Sequence, residues 1–256
     1  MISPLASIHP DARIGDQVEI GPFTTIGADV EVGNGTWIGP NVTIMDGARI
    51  GTDCRIFSGA VLSAIPQDLK FQGERTTVEI GDRSTIRECV TINRGTKAYG
   101  KTVVGKDCLI MAYVHIAHDC IIGDHVILVN SVALAGHVEI GDYGIVSGLS
   151  AVHQFVKIGA HVMIGGGAMV RKDVPPFITA AGEPLAYAGV NSVGLKRRNF
   201  SQEDINEIQT LYRTLYQSGM NVSQAVNRIK EQYPNRPLAD LILSFIEQSD
   251  RGLIRK

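Results

Sequence analysis

Histidine is concentrated in one part of this chain, because six of its seven histidines lie between positions 115 and 161. Imidazole titrates closest to neutral pH, so such a cluster suits acid–base chemistry or metal binding. His118 is followed directly by Asp119, a carboxylate that can fix the tautomer of the ring and raise its basicity. No serine, cysteine or threonine stands out as a nucleophile. His118 is therefore best interpreted as a general base that activates a hydroxyl or an amine of a substrate.

These histidines lie within a six-residue repeat. In steps of six from Ile8 to Val170, 25 of the 28 positions are Ile, Val or Leu. The three exceptions are Asp68, Glu74 and Ala98. A stacked β-solenoid has this period, with one short strand and one turn per hexapeptide, whereas helices repeat at 3.6 and strands at 2. The exceptions fall in two stretches, 63–79 and 93–103. We expect both stretches to be loops extruded from a corner, where loops often carry function.

Each hexapeptide should point its aliphatic residue i and its small residue i+4 inward, and Gly at i+1 suits a tight corner. Three hexapeptides form one triangular coil, which predicts about nine coils between Ile8 and Val170. Residues 18 apart then lie above one another, ~4.8 Å apart.

The 18-residue period predicts which corner residues meet. One coil after His118 comes Gly136, beside His137, and two coils after it comes Gln154, beside His153. These residues are therefore expected along one edge of the prism. From spacing alone they could be surface histidines, a zinc site or an acid–base centre.

Three further histidines are placed by the same period. His115 is expected about one short turn from this edge. His125 and His161 are 36 residues apart, so they should share a different ladder, two coils apart. For these two we expect solvated surface or contact roles.

The six-residue period stops before Ser201. Ser201 and Asp204 resemble a capping box, and apolar residues at helical spacing follow as far as a Gly219 stop. Further helices are predicted near 222–233 and 237–250.

Proline and glycine mark the connection between the two parts: Pro175, Pro176, Gly182 and Pro184. The sequence predicts an all-β solenoid domain over residues 1–185. A small C-terminal helical domain is predicted over residues 186–256.

Composition excludes several classes of protein. The net charge of −2 argues against a nucleic-acid binder held by phosphate contacts. No run approaches the length of a transmembrane span, and the first ten residues lack the features of a signal peptide. Cys54 and Cys108 should lie on one ladder three coils apart, too far for a disulfide. Three of the four cysteines occupy the inward column, so we expect free thiols and a cytoplasmic protein.

Besides the hexapeptide repeat, six segments match one family in order and spacing. They are Gln67-Asp68-Leu69-Lys70, Thr91-Ile92-Asn93-Arg94-Gly95-Thr96, His115-Ile116-Ala117-His118-Asp119, Leu134-Ala135-Gly136-His137, Ala151-Val152-His153-Gln154-Phe155 and Gly189-Val190-Asn191-Ser192-Val193-Gly194-Leu195-Lys196-Arg197-Arg198. Over essentially its whole length the chain resembles the UDP-N-acetylglucosamine O-acyltransferases. The repeat is shared by many unrelated acyltransferases, whereas these motifs together are specific.

The resemblance implies a left-handed parallel β-helix that assembles as a homotrimer, with active sites in clefts between subunits. It implies transfer of an (R)-3-hydroxyacyl chain from acyl carrier protein to the 3-hydroxyl of UDP-N-acetylglucosamine, the first step of lipid A synthesis. By motif match, His118 is the general base, Asp119 orients it, and the backbone N–H of Gly136 stabilises the oxyanion. We expect no cofactor and no metal.

The resemblance also implies substrate contacts. Lys70, with Gln67 and Asp68, would reach from the first extruded loop toward the substrate. The sugar-nucleotide cleft would be lined by His115, His137, His153 and Gln154. Uridine and phosphate would be bound by Asn191 and Arg198, since Arg suits bidentate phosphate contacts. Arg197 is equally well interpreted as a surface cation that docks the acidic carrier protein.

Two positions concern specificity. Gly166 matches the position that forms the floor of the acyl groove in this family, so a long hydroxyacyl chain is expected. Val193 departs from the family pattern, in which a Glu is expected beside the nucleotide. That contact must be lost or supplied elsewhere.

Alternative functions remain open from the sequence. A sister enzyme could acylate the amino group of a 3-amino sugar nucleotide with the same base. A β-helical zinc enzyme of the γ-carbonic anhydrase type would pair its histidines at a different spacing. A non-catalytic trimeric scaffold gives no reason for histidines to cluster on one edge.

Overall fold

The computed structural model describes residues 1–255, which form a prism of short strands followed by a helical region. The strands of the prism are β1 (Ser7–Ile8), β2 (Arg13–Ile14), β3 (Glu19–Ile20), β4 (Thr25–Ile26), β5 (Glu31–Val32), β6 (Trp37–Ile38), β7 (Thr43–Ile44), β8 (Ala48–Ile50), β9 (Arg55–Ile56), β10 (Val61–Ala64), β11 (Thr77–Ile80), β12 (Thr85–Ile86), β13 (Thr91–Asn93), β14 (Lys101–Val104), β15 (Leu109–Ile110), β16 (His115–Ile116), β17 (Ile121–Ile122), β18 (Ile127–Leu128), β19 (Ala133–Leu134), β20 (Glu139–Ile140), β21 (Ile145–Val146), β22 (Ala151–Val152), β23 (Lys157–Ile158), β24 (Met163–Ile164) and β25 (Met169–Val170).

Every third strand stacks in parallel, which produces three sheets. Sheet 1 runs from β1 through β4 to β25, sheet 2 from β2 through β5 to β23, and sheet 3 from β3 through β6 to β24. Sheet 3 is extended by β26 (Ile178–Ala181), parallel to β24, and by β27 (Ala186–Val190), antiparallel to β26. Because β27 belongs to this sheet and also leads into the helices, the division into domains of 1–185 and 186–256 stays a prediction.

The six-residue period produces this core directly. Each of the 25 aliphatic positions lies in one of the strands β1–β25. The i+4 column is also buried, as at Val114 and Val132, which have no exposed surface. Each coil therefore buries its aliphatic face only against the coils above and below it.

The two extruded loops are confirmed, at residues 65–76 and 94–100. Strands on either side of the first loop pair 30 residues apart rather than 18, and those around the second pair 24 apart. The loops thus add 12 and 6 residues, both multiples of six, so the aliphatic register survives them. The expectation of nine coils was wrong, because 25 strands make eight coils and one strand.

The same insertions correct the cysteine ladder. Ser84 lies between Cys54 and Cys108 on this ladder, so the two thiols are two coils apart rather than three. All four cysteines are free, and Cys54, Cys108 and Cys120 are buried as expected.

The corners need glycine at i+1 for a reason that differs from the one expected. A Cβ at Gly15 would lie 2.8 Å from the backbone nitrogen of Asn34 in the next coil. The left-handed backbone falls instead at i+3, as at Gln17, where φ is 58°. Residue i+1 is therefore small because the next coil approaches closely, and i+3 carries the turn.

The corners form three edges, which we number by the sheet that precedes them. The first edge follows sheet 1, the second follows sheet 2 and the third follows sheet 3. Both extruded loops lie on the first edge, since they follow β10 and β13 of sheet 1.

The helices are α1 (Ser192–Arg197), α2 (Gln202–Gln217), α3 (Val222–Gln232) and α4 (Pro237–Glu247). The capping box of Ser201 and Asp204 is present, and α3 and α4 confirm the predicted helices. The short helix α1 was not predicted. Tyr212 of α2 is fully buried and donates a hydrogen bond to the carbonyl of Pro176, which fixes α2 on the end of the prism. Within residues 1–255, no helix is long and apolar enough to cross a membrane.

Candidate active site

The first edge brings together most of the residues singled out from the sequence. The corner His118–Asp119 lies one coil from the corner Gly136–His137, and the corner Gln154–Phe155 follows one coil later. The loops 65–76 and 94–100 leave the prism at this same edge. The predicted edge cluster is therefore confirmed in its placement.

His118 and Asp119 form a hydrogen-bonded pair. Nδ1 of His118 lies 2.8 Å from Oδ2 of Asp119. An ionised carboxylate only accepts hydrogen bonds, so Nδ1 carries the hydrogen and Nε2 is left with its lone pair. The His118 side chain is 14% exposed and that of Asp119 is fully buried. This arrangement gives an imidazole with a free basic nitrogen at the surface of the prism.

Gly136 lies directly beneath the His118 ring. A Cβ at Gly136 would be 2.7 Å from Cε1 and 2.8 Å from Nε2 of that ring. Any side chain here would push the ring away, so glycine is required by the close approach. The backbone of Gly136 and the basic nitrogen of His118 thus border the same space.

The carboxylate of Asp119 is surrounded by donors from the second loop. Thr96 donates through its backbone N–H to Oδ1 at 2.9 Å and through its hydroxyl to Oδ2 at 2.6 Å. The N–H of Tyr99 lies 3.3 Å from Oδ1. Burial raises the pKa of Asp119, but the hydrogen bonds from Thr96 and His118 outweigh it, so the pKa lies below its usual value. Asp119 is therefore ionised at neutral pH.

His137 is the second imidazole of this cluster. Its Nε2 lies 3.7 Å from Oδ2 of Asp119, and its ring stacks on Phe155 with centroids 4.5 Å apart. Burial lowers the pKa of His137, only partly offset by Asp119, so the ring is neutral near pH 7. A small cavity of about 150 Å³ opens beside it, lined by both loops, including Asp68, Lys70 and Thr96.

The remaining predicted residues of this edge differ in exposure. His115 faces outward from β16 and shares a hydrogen bond of 2.7 Å with the hydroxyl of Thr91. Burial lowers the pKa of His115. The exposed residues are Gln67, Lys70, His153 and Gln154, and Asp68 is half-buried. The first edge thus presents the partly exposed His118, paired with the buried Asp119, among exposed polar side chains.

The first edge also contains a group of potential metal ligands. Within residues 1–255, His118, Asp119 and His137 form the one group whose potential ligand atoms all lie within 4.8 Å of one another. A carboxylate has about four lone-pair positions. Four hydrogen-bond donors already contact Asp119: the N–H and hydroxyl of Thr96, the N–H of Tyr99 and Nδ1 of His118. The donor set therefore favours an acid–base pair over a zinc site.

The predicted nucleotide-binding residues lie on the second edge rather than the first. Asn191 is buried and caps α1, accepting from the N–H of Gly194 and donating to the carbonyl of His161. Arg198 donates to the carbonyl of Tyr143, and its guanidinium lies 5.1 Å from the centroid of that ring. Nη1 of Arg198 is buried and lacks a partner within residues 1–255. One chain therefore does not bring these residues to His118.

Val193 and Arg197 are both exposed on α1. They are four residues apart in the helix, so they share one face. An apolar side chain and a cation therefore lie side by side on this face of α1.

The second-edge histidines form a stacked column, His125–Tyr143–His161–Phe177. The ring centroids lie 4.5, 5.0 and 5.5 Å apart in turn. The predicted ladder is confirmed, and of the two roles expected for His161 the structure supports the contact role, because Phe200 covers its edge and Nδ1 is buried. Burial lowers the pKa of His161 to about 4. This histidine packs the helical region against the prism.

Gly166 lies at an exposed corner of the third edge. A Cβ there would meet only the carbonyl oxygen of Gly148 at 3.5 Å and Cβ of Ser147 at 3.9 Å, which are ordinary contacts. Unlike Gly136, this glycine is not required by the packing of its own chain.

Sequence reasoning missed the contribution of Thr96. The segment Thr91–Thr96 is one of the family motifs, but the motif assigns no role to Thr96. The spacing indicates this contact, because the second loop starts 24 residues before His118. With the six-residue insertion allowed for, that is one coil, so the loop lies next to the His118 corner.

Comparison with known proteins gives one consistent result. A family described as "Udp N-acetylglucosamine O-acyltransferase; Domain 2" matches residues 173–254, and bacterial transferase hexapeptide repeats match residues 29–64 and 101–136. An acyl-[acyl-carrier-protein]--UDP-N-acetylglucosamine O-acyltransferase of Chlorobaculum parvum is 54% identical, over 98% of this chain and 96% of the relative. The protein of the same name in Janthinobacterium is 48% identical, over 100% of this chain and 99% of the relative.

Solved structures agree with these sequence relatives. A UDP-N-acetylglucosamine acyltransferase from Bacteroides fragilis superposes with a TM-score of 0.98 and 50% identity, over 100% of both chains. A counterpart from Arabidopsis has a TM-score of 0.88 and 32% identity, again over 100% of both chains. The expected fold, a left-handed parallel β-helix followed by C-terminal helices, is confirmed.

Proposed function

Since this chain belongs to the UDP-N-acetylglucosamine O-acyltransferase family, we propose that its first edge carries the catalytic groups, with His118 as the base. The protein is an acyl-[acyl-carrier-protein]--UDP-N-acetylglucosamine O-acyltransferase, the enzyme of the first step of lipid A biosynthesis. The observation that carries the site assignment is the His118–Asp119 pair. Nδ1 of His118 lies 2.8 Å from Oδ2 of Asp119, and the His118 ring lies against the backbone of Gly136.

The proposed mechanism follows from the direction of the hydrogen bonds. Nε2 of His118 takes the proton of the 3-hydroxyl as that oxygen attacks the thioester carbonyl of an (R)-3-hydroxyacyl chain on acyl carrier protein. The backbone N–H of Gly136, which has no hydrogen-bond partner within residues 1–255, stabilises the resulting oxyanion. The intermediate then expels the thiolate of the carrier, which recovers the proton from His118. Asp119 stays ionised and keeps the ring oriented.

The polar rim of the first edge is the proposed contact surface for the sugar nucleotide. Lys70 and Asp68 of the first loop line the cavity at His137, and Gln67 is exposed on the same loop. His115, His153 and Gln154 continue the polar surface. Asn191, Arg197 and Arg198 are proposed to contact the nucleotide from a neighbouring subunit, since they lie on another edge of this chain.

A homotrimer would bring these two sets of residues together. The third edge exposes large apolar side chains: Phe23 by 62%, Tyr113 by 66% and Leu149 by 77%. Apolar side chains repeated along one edge are typical of a subunit interface. Packing of three third edges would leave the first edge of each subunit facing the second edge of the next. Gel filtration with light scattering tests this, and a monomer would contradict it.

Gly166 is proposed as the floor of the acyl groove in such a trimer. Its corner has room for a side chain, because a Cβ would meet only ordinary contacts. Gly166→Met should therefore fold and shift selectivity toward chains several carbons shorter. Each buried methylene contributes roughly 0.8 kcal/mol, so blocking several changes the preference by orders of magnitude. An unchanged chain-length profile would contradict the groove assignment.

The function is tested with a panel of hydroxyacyl carrier proteins offered together with UDP-N-acetylglucosamine or its 3-amino analogue. Mass spectrometry of the product identifies the acceptor and the chain length in one experiment. O-acylation of the natural sugar is expected, and exclusive acylation of the amine would overturn the acceptor assignment. We also propose a cytoplasmic location, which the three buried free thiols favour.

A further inference from the structure

The second loop, residues 94–100, contributes no residue to the proposed reaction, yet it is folded against the His118–Asp119 pair. Thr96, near its centre, is only 7% exposed. A Cβ at Gly95 would lie 2.3 Å from the backbone nitrogen of Lys101, so glycine lets the loop return onto β14. This tight return places Thr96 beside Asp119.

The hydroxyl of Thr96 has its direction fixed on both sides. The N–H of Ala98 donates to Oγ1 of Thr96 at 3.2 Å, which occupies the oxygen as an acceptor. The single hydrogen of the hydroxyl is then directed at Oδ2 of Asp119, 2.6 Å away. Oδ2 is also the oxygen that accepts from Nδ1 of His118. Thr96 therefore acts on the one atom that orients the base.

The backbone of Asp119 is held separately from its side chain. Its N–H donates to the hydroxyl of Thr102 at 2.8 Å. Asp119 occupies a left-handed corner with φ of 60°, so rotation of its side chain is the remaining freedom. Thr96 removes that freedom by contacting both carboxylate oxygens.

We propose that Thr96 is a positioning residue for acyl transfer, whose hydroxyl holds Asp119 ionised and oriented so that His118 keeps Nε2 as its basic atom. This inference rests on the proposed roles of His118 and Asp119. Nothing in the sequence motif assigns this role to the threonine.

The pH dependence follows from the same contacts. The ionisable groups that face Asp119 are His118, His137 and the buried thiol of Cys120, and Asp68 faces His137 in turn. Hydrogen bonds from Thr96 help to lower the pKa of Asp119, so removal of the hydroxyl raises it. Activity should then be lost at a higher pH as the solution is acidified.

The test compares Thr96→Val, which keeps the size and removes the hydroxyl, with Thr96→Ser, which keeps the hydroxyl. Loss of one hydrogen bond to a charged group predicts a kcat about tenfold to a hundredfold lower in Thr96→Val. KM for the sugar nucleotide should be unchanged, and the acid limb of the pH–rate profile should shift to higher pH. Thr96→Ser should have the wild-type kcat and the wild-type position of the acid limb. Should Thr96→Val fail to fold, Thr96→Ala is measured in its place.

A double-mutant cycle separates positioning from general support of the fold. In an Asp119→Asn background, the Thr96 substitution should cost little further activity, because Thr96 acts through the carboxylate. An equal loss in both backgrounds, or wild-type kinetics in the single variant, would overturn the proposal. His118→Ala tests the proposed function independently. If that variant retains wild-type turnover, the assignment of His118 as the base fails. If His118→Ala is inactive but Thr96→Val has wild-type kinetics, only the proposed role of Thr96 fails.

Discussion

Two edges of the prism carry histidines at equivalent corners, with different results. His137 on the first edge and His161 on the second both occupy left-handed i+3 positions and stack on a phenylalanine one coil later. One coil earlier, His137 meets the carboxylate of Asp119, whereas His161 meets the ring of Tyr143. The repeat supplies the stacking on both edges, and the residue in the preceding coil decides whether the column becomes a reactive cluster or a packed surface.

The neighbouring elements increase this difference. The first edge carries both loops, which bring Asp68 and Thr96 to the histidines and leave His118 partly exposed. At His161 the second edge is covered by α1 and Phe200. The insertions therefore add polar contacts to the histidines of the first edge, and the helical region buries His161 on the second edge.

The largest effect should come from removal of the base on the first edge. His118→Ala should lower turnover by about two to four orders of magnitude, the usual range for loss of a general base. The matched control is His125→Ala on the second edge, which should retain turnover because its ring contacts Tyr143 and Asp107 rather than His118. Steady-state assays of acyl transfer measure both variants. Equal losses in the two would mean that the edges do not differ in function.

The next largest effect concerns the glycine beneath the base. Gly136→Ala places a methyl group within 2.8 Å of Nε2 of His118, so the ring must move. A displacement of about 1 Å from reactive geometry can cost about a hundredfold in rate. The control is Gly123→Ala on the second edge, where the added Cβ would lie 2.4 Å from Oδ1 of Asp142, so that it crowds a corner away from the base. We expect kcat to fall only at Gly136, and parallel behaviour of the two variants would contradict the role of close approach.

A smaller effect is expected from the first loop, which exists on the first edge alone. Lys70→Ala should raise KM for the sugar nucleotide about tenfold, the consequence of losing one hydrogen bond to a charged group. The residue is exposed and outside the aliphatic register, so thermal unfolding should be unchanged. Lys106→Ala, a lysine of the second edge, is the control. Kinetic constants equal to wild type would show that Lys70 is an ordinary surface lysine.

Much of this comparison was accessible from the sequence. The period of six predicted the prism, and the period of 18 placed Gly136 and Gln154 in line with His118, because no insertion interrupts the chain after residue 100. Before that point the two loops insert 12 and 6 residues. Because both numbers are multiples of six, the aliphatic register continues unchanged and gives no sign that the chain has fewer coils than its length suggests. The cysteine ladder was misplaced for this reason.

Contacts from outside the repeat could not be predicted in this way. Thr96 reaches Asp119 through an irregular loop whose course depends on Gly95 and Gly100. His161 is buried by Phe200, which belongs to a region with no six-residue period. A repeat predicts the neighbours within its own ladders, and contacts made by inserted or appended segments need the folded chain.

The smallest effect concerns stability rather than activity, and it tests the packed nature of the second edge. Burial lowers the pKa of His161 to about 4, with Arg198 adding to the shift and Asp142 opposing it. An unfolded histidine has a pKa of about 6.5. Above that value both states are neutral, whereas between pH 6.5 and 4 the unfolded chain binds a proton that the folded chain excludes. This contribution to the free energy of unfolding is therefore complete above pH 6.5 and is lost progressively as the pH falls toward 4.

His161→Phe removes this titration and retains a ring for the stack, since Phe155 and Phe177 already occupy equivalent left-handed corners. Thermal unfolding of wild type and variant is measured from pH 7.5 down to 5, under conditions in which both unfold reversibly. The wild-type midpoint should fall more steeply than that of the variant below pH 6.5, and turnover at neutral pH should be the same. His137 titrates in both proteins, so its effect cancels in the difference. Identical pH slopes would show that His161 is open to solvent, and the contrast between the two edges would then rest on Asp119 alone.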